Sequence, residues 1–163
     1  MATRAGNRQH ERHASVAEAT RKEEAFLGYV LDEQVGFLLR KAYQRHMTIF
    51  AKNMIGGLTP TQFSTLFRLF AEREPISQNA LGRLVAMDAA TTKGVISRLE
   101  NNGLITTERD PRDKRRYLLR STEKGRTLVR DAIPVVTGIT EATLEPLDEA
   151  ERQTFMTLLA RLC

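Results

Sequence analysis

The 163-residue chain is long enough for one domain with a buried core, because 41% of its residues are hydrophobic. Its 25 Lys and Arg against 20 Asp and Glu give a net charge of +5, which permits a polyanionic partner without identifying one. No run is apolar for the length of a membrane-spanning helix, and the N-terminus lacks the apolar centre of a secretory signal, so we expect a cytoplasmic protein. The single cysteine, Cys163, argues against an intrachain disulfide and against redox chemistry.

The first part of the chain changes character near residue 24. Residues 1–23 are polar and charged without apolar periodicity, which predicts a mobile arm. From Val35 the apolar residues recur at helical spacing and predict a first helix that ends near Lys52.

Three shorter helices are expected next, each with a capping residue at its start. Thr59 caps the second helix, with Pro60 at its first position and Gln62 completing a capping box. Ser77 is placed to cap a third helix and Asp88 a fourth. The residues of the fourth helix expected to point inward are Thr92, Val95, Ile96 and Leu99.

A short hairpin and two further helices complete the chain. Residues 104–108 and 117–119 predict two strands around a charged turn. Ser121 or Thr122 opens a long fifth helix, which Pro134 is expected to bend. Asp148 and Glu151 open the sixth, whose apolar stripe consists of Phe155, Leu158, Leu159 and Leu162.

Two short helices joined by a tight turn and followed by a basic hairpin predict a winged helix-turn-helix, with the fourth helix entering the major groove of DNA. Residues 109–120 hold six basic residues against two acidic ones, so much of the surplus positive charge lies in the hairpin. Small and polar side chains on the fourth helix permit close approach to base edges. The residues expected to contact DNA are Ser77, Gln78, Ala90, Thr91, Lys93, Ser97, Arg98, Arg112, Asp113, Lys114, Arg115 and Arg116.

Three segments, LTPTQF (58–63), ISRLENNGLI (96–105) and DPRDKRRYLLRSTEKG (110–125), resemble the multiple antibiotic resistance regulator (MarR) family of bacterial transcription factors. The resemblance extends from about Leu31 to Leu162. It implies an obligate dimer formed by the first, fifth and sixth helices, with Arg115 entering the minor groove and Asp113 bracing that arginine. Gly82 departs from the alanine typical of the third helix, which predicts slightly looser packing there.

The resemblance also implies an effector site. Family members often release DNA when a small anionic aromatic molecule binds between the dimerisation helices and the DNA-binding lobe. The corresponding residues here are Arg40, Tyr43, His46, Met47, Phe63 and Phe67. His46 could instead be a core histidine satisfied by a backbone carbonyl, and the two phenylalanines could simply belong to the core. Residues 31–50 look like a subgroup connected with the breakdown of aromatic or heteroaromatic acids.

Together these features predict a mainly α fold with a small β-hairpin wing. Residues 1–23 form the arm, 24–58 and 122–163 the helical dimerisation region, and 59–121 the DNA-binding domain. The predicted function is a dimeric DNA-binding regulator, a repressor released from a pseudo-palindromic operator by an aromatic acid, with activation as an alternative. No catalytic constellation, cofactor motif or metal site stands out, and no membrane partner is expected. The competing hypothesis is a winged-helix protein-interaction module without sequence-specific DNA binding.

Overall fold

The computed structural model describes residues 27–72, 74–113 and 115–163. The predicted arm, residues 1–23, and the predicted DNA contact Lys114 lie outside the described residues. The chain divides into two compact units, Met1–Gln44 and Arg45–Cys163. A 3-10 turn at Leu31–Glu33 precedes the first helix.

The described residues form six α-helices and three strands in the order that the sequence predicts, with one strand added. The helices are α1 (Val35–Asn53), α2 (Pro60–Ala71), α3 (Gln78–Leu84), α4 (Ala89–Asn101), α5 (Glu123–Leu144) and α6 (Glu149–Ala160), and the strands are β1 (Ile76–Ser77), β2 (Ile105–Arg109) and β3 (Tyr117–Ser121). The sheet is antiparallel with the order β1-β3-β2. Leu119 at its centre lies opposite Ile76 on one side and Thr107 on the other. The predicted hairpin is therefore the larger part of a three-stranded sheet.

Side-chain caps fix where the helices begin. At α2 the Thr59 hydroxyl accepts a bond from the Gln62 amide at 3.2 Å, while the Gln62 side chain accepts one from the Thr59 amide at 2.8 Å. Thr122, and not Ser121, caps α5 by accepting from the Gly125 amide at 3.0 Å. Asp148 and Glu151 form a second capping box at α6. These pairings satisfy amides that a helix leaves without partners, so the predicted starts are confirmed.

The hydrophobic core of the second unit lies where α2, α3, α4, α5 and the sheet meet. Its most completely buried large side chains include Leu66, Leu81, Leu99, Leu119 and Val129. All four residues predicted to point inward from α4 are buried. This core joins the two short helices to the wing, so it sets the relative positions of the elements proposed to contact DNA.

The expected looser packing at Gly82 is wrong. A Cβ atom at this buried position would lie 2.9 Å from Oγ1 of Thr92 and 3.3 Å from the carbonyl oxygen of Met87. Both distances are shorter than ordinary van der Waals contacts. The absence of a side chain therefore lets α3 approach α4 closely.

Apolar side chains remain exposed in both units. Of the residues predicted as an apolar stripe, Phe155 and Leu158 on α6 are 39% and 51% exposed, and Leu162, just beyond its end, is 73% exposed. Leu159 is partly buried. In the first unit Val35, Leu38, Leu39 and Tyr43 are exposed as well. α5 continues through Pro134 without interruption. In the part of the chain that the structure describes, none of the helices is both long and apolar enough to cross a membrane.

Candidate DNA-binding interface

The face of α4 that points away from the core is built from small and polar side chains. The predicted contacts on this helix, Ala90, Thr91, Lys93, Ser97 and Arg98, are all exposed. The helix has thirteen residues, and the side chains of its first turn are small. Such a surface can approach base edges closely while its two cations reach phosphates.

Asp88 determines how α4 begins. Its Oδ1 accepts a hydrogen bond from the Thr91 amide at 2.9 Å, and its Oδ2 accepts one from the Thr91 hydroxyl at 2.6 Å. The hydroxyl bond and then the amide bond lower the pKa of this carboxyl below its ordinary value of 3.8. Asp88 is therefore ionised at neutral pH, and both of its oxygens act as acceptors.

The turn between α3 and α4 is short and conformationally restricted. Ala86 has a φ of 51°, in the left-handed region that a residue with a side chain seldom adopts. The amide of Met87 donates to the carbonyl of Gly82 at 2.9 Å and closes the turn. This connection orients α4 against α3.

The tip of the wing is organised by two aspartates that accept backbone hydrogen bonds. Asp110 accepts from the Arg112 amide at 2.8 Å, and Asp113 accepts from the Arg115 amide at 3.0 Å. The Asp110 amide donates to the carbonyl of Arg116 at 3.0 Å and closes the loop. One oxygen of each carboxylate is thus occupied by a backbone hydrogen bond, while the arginine side chains remain exposed. Negative charge in a basic loop is thereby explained by backbone geometry.

The contact between Asp113 and Arg115 is made through the backbone. The resemblance implies that the carboxylate braces this arginine. The structure has the bond to the backbone amide, and no ion pair joins the two side chains within the described residues. The wing's ion pair, between Arg116 Nε and Asp110 Oδ2, is long at 4.0 Å. Asp113 therefore shapes the loop that carries Arg115.

A groove of about 440 Å³ brings the start of α3 together with the wing. It joins the predicted contacts Ser77 and Gln78 to Arg115 and Arg116. Its remaining lining residues are Asn79, Arg83 and Tyr117, which were not among the predicted contacts. Ser77 also has a structural task, because its hydroxyl accepts from the Ala80 amide at 3.3 Å to cap α3. The groove can accept a phosphate-bearing strand between two basic walls.

The predicted effector residues divide between the two units. Arg40 and Tyr43 belong to the first unit, where both are exposed and Arg40 lies 4.9 Å from the ring centroid of Phe37. Met47 belongs to the second unit and is partly buried, as are the two phenylalanines discussed below.

His46 is half-buried and has a defined partner. Its Nδ1 lies 3.0 Å from the hydroxyl oxygen of Thr143, which itself donates to the carbonyl of Ile139 at 2.7 Å. When the hydroxyl hydrogen is donated to Ile139, the hydroxyl oxygen can accept from Nδ1 in the tautomer that has its hydrogen on that nitrogen. The ring is thus held by a side-chain hydroxyl and not by the backbone carbonyl considered from sequence. Nε2 is left with no hydrogen bond inside the described part of the chain.

Phe63 and Phe67 pack against the core of the second unit. Their ring centroids lie 5.9 Å apart, and Phe67 lies 6.4 Å from Phe70. Both rings are only partly buried, so each combines a core contact with an accessible edge. The described residues contain no group of three or more His, Cys, Asp or Glu suited to a metal ion.

Comparison with known proteins agrees with this architecture. A model of the MarR family matches residues 58–117, from the cap of α2 to the wing. The transcriptional repressor NicR of Pseudomonas putida is 38% identical over 135 residues, which is 82% of this chain and 85% of NicR.

Two solved structures extend the comparison to the fold. A probable transcriptional regulator of Pseudomonas aeruginosa is 46% identical with a TM-score of 0.78, covering 82% of this chain and 100% of that one. BpsR of Bordetella bronchiseptica, whose DNA binding is regulated by 6-hydroxynicotinic acid, is 38% identical with a TM-score of 0.77, covering 82% and 96%. Taken with the winged helix-turn-helix described above, these likenesses show that the chain belongs to the MarR family of DNA-binding transcriptional regulators.

Proposed function

We propose that this protein is a homodimeric repressor that binds a pseudo-palindromic operator and is released by a small aromatic or heteroaromatic acid. The observation that carries the DNA-binding part is the groove that joins the start of α3 to the arginines of the wing, beside the small and polar face of α4. In this proposal the protein acts in the cytoplasm and is not an enzyme.

In this proposal α4 enters the major groove and the wing follows the neighbouring backbone. Thr91 and Ala90 approach base edges, while Lys93 and Arg98 contact phosphates. Arg115, on the loop shaped by Asp113, enters the minor groove, where negative potential is concentrated. Arg83 adds a phosphate contact from the wall of the groove.

The dimer is proposed from apolar side chains that have no cover in a single chain. α6 exposes Phe155 and Leu158, and the first unit separately exposes Val35, Leu38 and Leu39. Large exposed apolar patches on proteins commonly mark interfaces. A two-fold dimer would place two copies of α4 about 34–36 Å apart, which is one turn of DNA. The proposed dimerisation regions are residues 24–58 and 122–163, around a DNA-binding domain of residues 59–121.

The effector is proposed from one relative, BpsR, and from His46. The DNA binding of BpsR is regulated by 6-hydroxynicotinic acid, which supports a heteroaromatic acid as the effector class here. NicR supports the repressor role. Thr143 orients the imidazole ring of His46 through Nδ1, which leaves Nε2 available to contact a ligand. Coupling between effector and DNA of this kind is typically about 1–3 kcal/mol, or roughly 5- to 150-fold in affinity.

The test is fluorescence anisotropy with an operator selected from random duplex DNA and a scrambled duplex of equal composition. We expect tight, salt-dependent binding to the operator, much weaker binding to the scrambled duplex, and release by 6-hydroxynicotinic acid but not by an uncharged aromatic amide. Equal and weak binding to both duplexes would contradict the proposal and favour the protein-interaction module. Specific binding that none of a panel of aromatic acids weakens would contradict the effector part alone.

A further inference from the structure

Thr91 differs from the other polar residues on the exposed face of α4 because its hydroxyl hydrogen is already used. The hydroxyl donates to Oδ2 of Asp88 at 2.6 Å, and the Thr91 amide donates to Oδ1 of the same carboxylate at 2.9 Å. An ionised carboxylate accepts hydrogen bonds and cannot donate them. The direction of the hydroxyl bond is therefore fixed from Thr91 to Asp88.

A threonine hydroxyl has one hydrogen and two lone pairs. With its hydrogen donated to Asp88, the Thr91 hydroxyl can only accept through its lone pairs, so Thr91 can offer a neighbouring base an acceptor oxygen and a methyl group. In the major groove, hydrogen-bond donors are the amino groups of adenine (N6) and cytosine (N4), whereas thymine O4, guanine O6 and the N7 atoms of both purines are acceptors. A free threonine could pair with either kind of edge, but this one can pair only with a donor.

We infer that Asp88 makes Thr91 a selective reader of amino-bearing bases, adenine or cytosine, at one position of each operator half-site. The inference rests on the proposed function, since it requires α4 to lie in the major groove. Thr91 is the third residue of α4 and is exposed, and residues in this first turn are those that meet base edges in helix-turn-helix proteins. Asp88 is a positioning residue, because it acts on the base through Thr91.

The arrangement also predicts how the preference can be reversed without losing the cap. In Asp88→Asn the Thr91 amide still needs an acceptor, so the side-chain oxygen of the new residue stays at the position of Oδ1. Its amino group then takes the position of Oδ2 and donates to the Thr91 hydroxyl. The hydroxyl hydrogen is freed to point outward, and Thr91 becomes a donor suited to thymine O4 or guanine O6.

The experiment selects operators from random duplex DNA with four purified full-length proteins and compares base preferences at each half-site position. The proteins are the wild type, Asp88→Asn, Thr91→Val and the control Asp148→Asn. The control changes an aspartate that caps α6 with the same bond to an amide three residues on. Thr91→Val keeps the backbone bond to Asp88 and nearly the same shape, so it tests the inference even if Asp88→Asn folds poorly.

We expect the wild type and Asp148→Asn to prefer adenine or cytosine at one position by about 2- to 10-fold, the range of one neutral hydrogen bond. Asp88→Asn should shift that position to thymine or guanine, and Thr91→Val should flatten it with the other positions unchanged. The inference is overturned if Asp88→Asn and Thr91→Val select the wild-type operator with undiminished preference at every position. If the wild-type protein enriches no sequence at all, the proposed function has failed instead.

Discussion

Gly82→Ala should destabilise the protein even though it replaces glycine with the best helix former inside α3. Relief of the glycine penalty in a helix interior is worth about 0.8–1.0 kcal/mol. This gain is opposed by steric crowding, because the new Cβ would lie 2.9 Å from Thr92 Oγ1 and 3.3 Å from the carbonyl oxygen of Met87. Overpacking of a buried site costs about 1–3 kcal/mol. We therefore expect a net loss of about 1 kcal/mol in the free energy of unfolding.

The cost at this position is high because Thr92 cannot move freely. Its side chain is 1% exposed, and its hydroxyl donates to the carbonyl of Asp88 at 2.7 Å. Rotating the hydroxyl away from the new methyl would break that buried bond. Thr92→Ala should consequently be less costly in the Gly82→Ala background than in the wild type, and this non-additivity identifies the clash as the cause.

The assay is urea unfolding followed by circular dichroism at a fixed protein concentration, which matters because dimerisation would add to the apparent stability. The matched control is Gly94→Ala on the exposed face of α4, where a Cβ meets nothing within 4 Å. This variant should stabilise by about 0.8–1.0 kcal/mol, since only the propensity gain applies. If Gly82→Ala stabilises as much as Gly94→Ala, the close approach of α3 and α4 plays no part in stability.

Four further predictions concern the wing, the dimer, the effector and the recognition helix. Asp113→Asn keeps an acceptor for the Arg115 amide and should bind the operator at least as well as the wild type. Asp113→Ala loses the same charge but also the acceptor, so it should bind more weakly. Equally tighter binding by both variants in anisotropy titrations would show that only the charge matters. Deleting residues 148–163 should abolish the dimer in light scattering, and a stable truncated dimer would contradict the role given to α6. His46→Ala and His46→Asn should both blunt effector release while sparing basal DNA affinity, and normal release from either would return His46 to a structural role. Its hydrogen bonds lower the pKa of Asp88, so the cap should stabilise the fold fully above pH 3.8 and lose this effect as the pH falls through the lowered pKa. In urea unfolding, Asp88→Asn should therefore lose less stability than the wild type in this acid range. An unchanged pH dependence would refute the role of the cap.

The helix starts could be predicted from sequence because capping is a local interaction. Thr59, Ser77, Asp88 and Asp148 each accept an amide hydrogen bond from a residue three positions on, so the partner is encoded a few letters away. The inward face of α4 was predictable for a similar reason, since periodicity within one helix needs no tertiary information.

Features that depend on tertiary contacts were missed or mistaken. The two-residue strand β1 has too little sequence for a pattern and forms only because β3 is available for pairing. Arg83 and Tyr117 are far apart in sequence, and the fold brings them to one groove. Sequence could indicate that Asp113 has a partner near Arg115, but it could not distinguish guanidinium from amide, because both lie within reach of the carboxylate.

The central claim is that α4 and the wing of a two-fold dimer read an operator. Selection of bound sequences from random duplex DNA with the full-length protein tests it most directly. We expect enrichment of two inverted half-sites whose centres lie about 10–10.5 base pairs apart, with a narrow minor groove where Arg115 enters. Enrichment of a single asymmetric site, or of no sequence above the input, would contradict it.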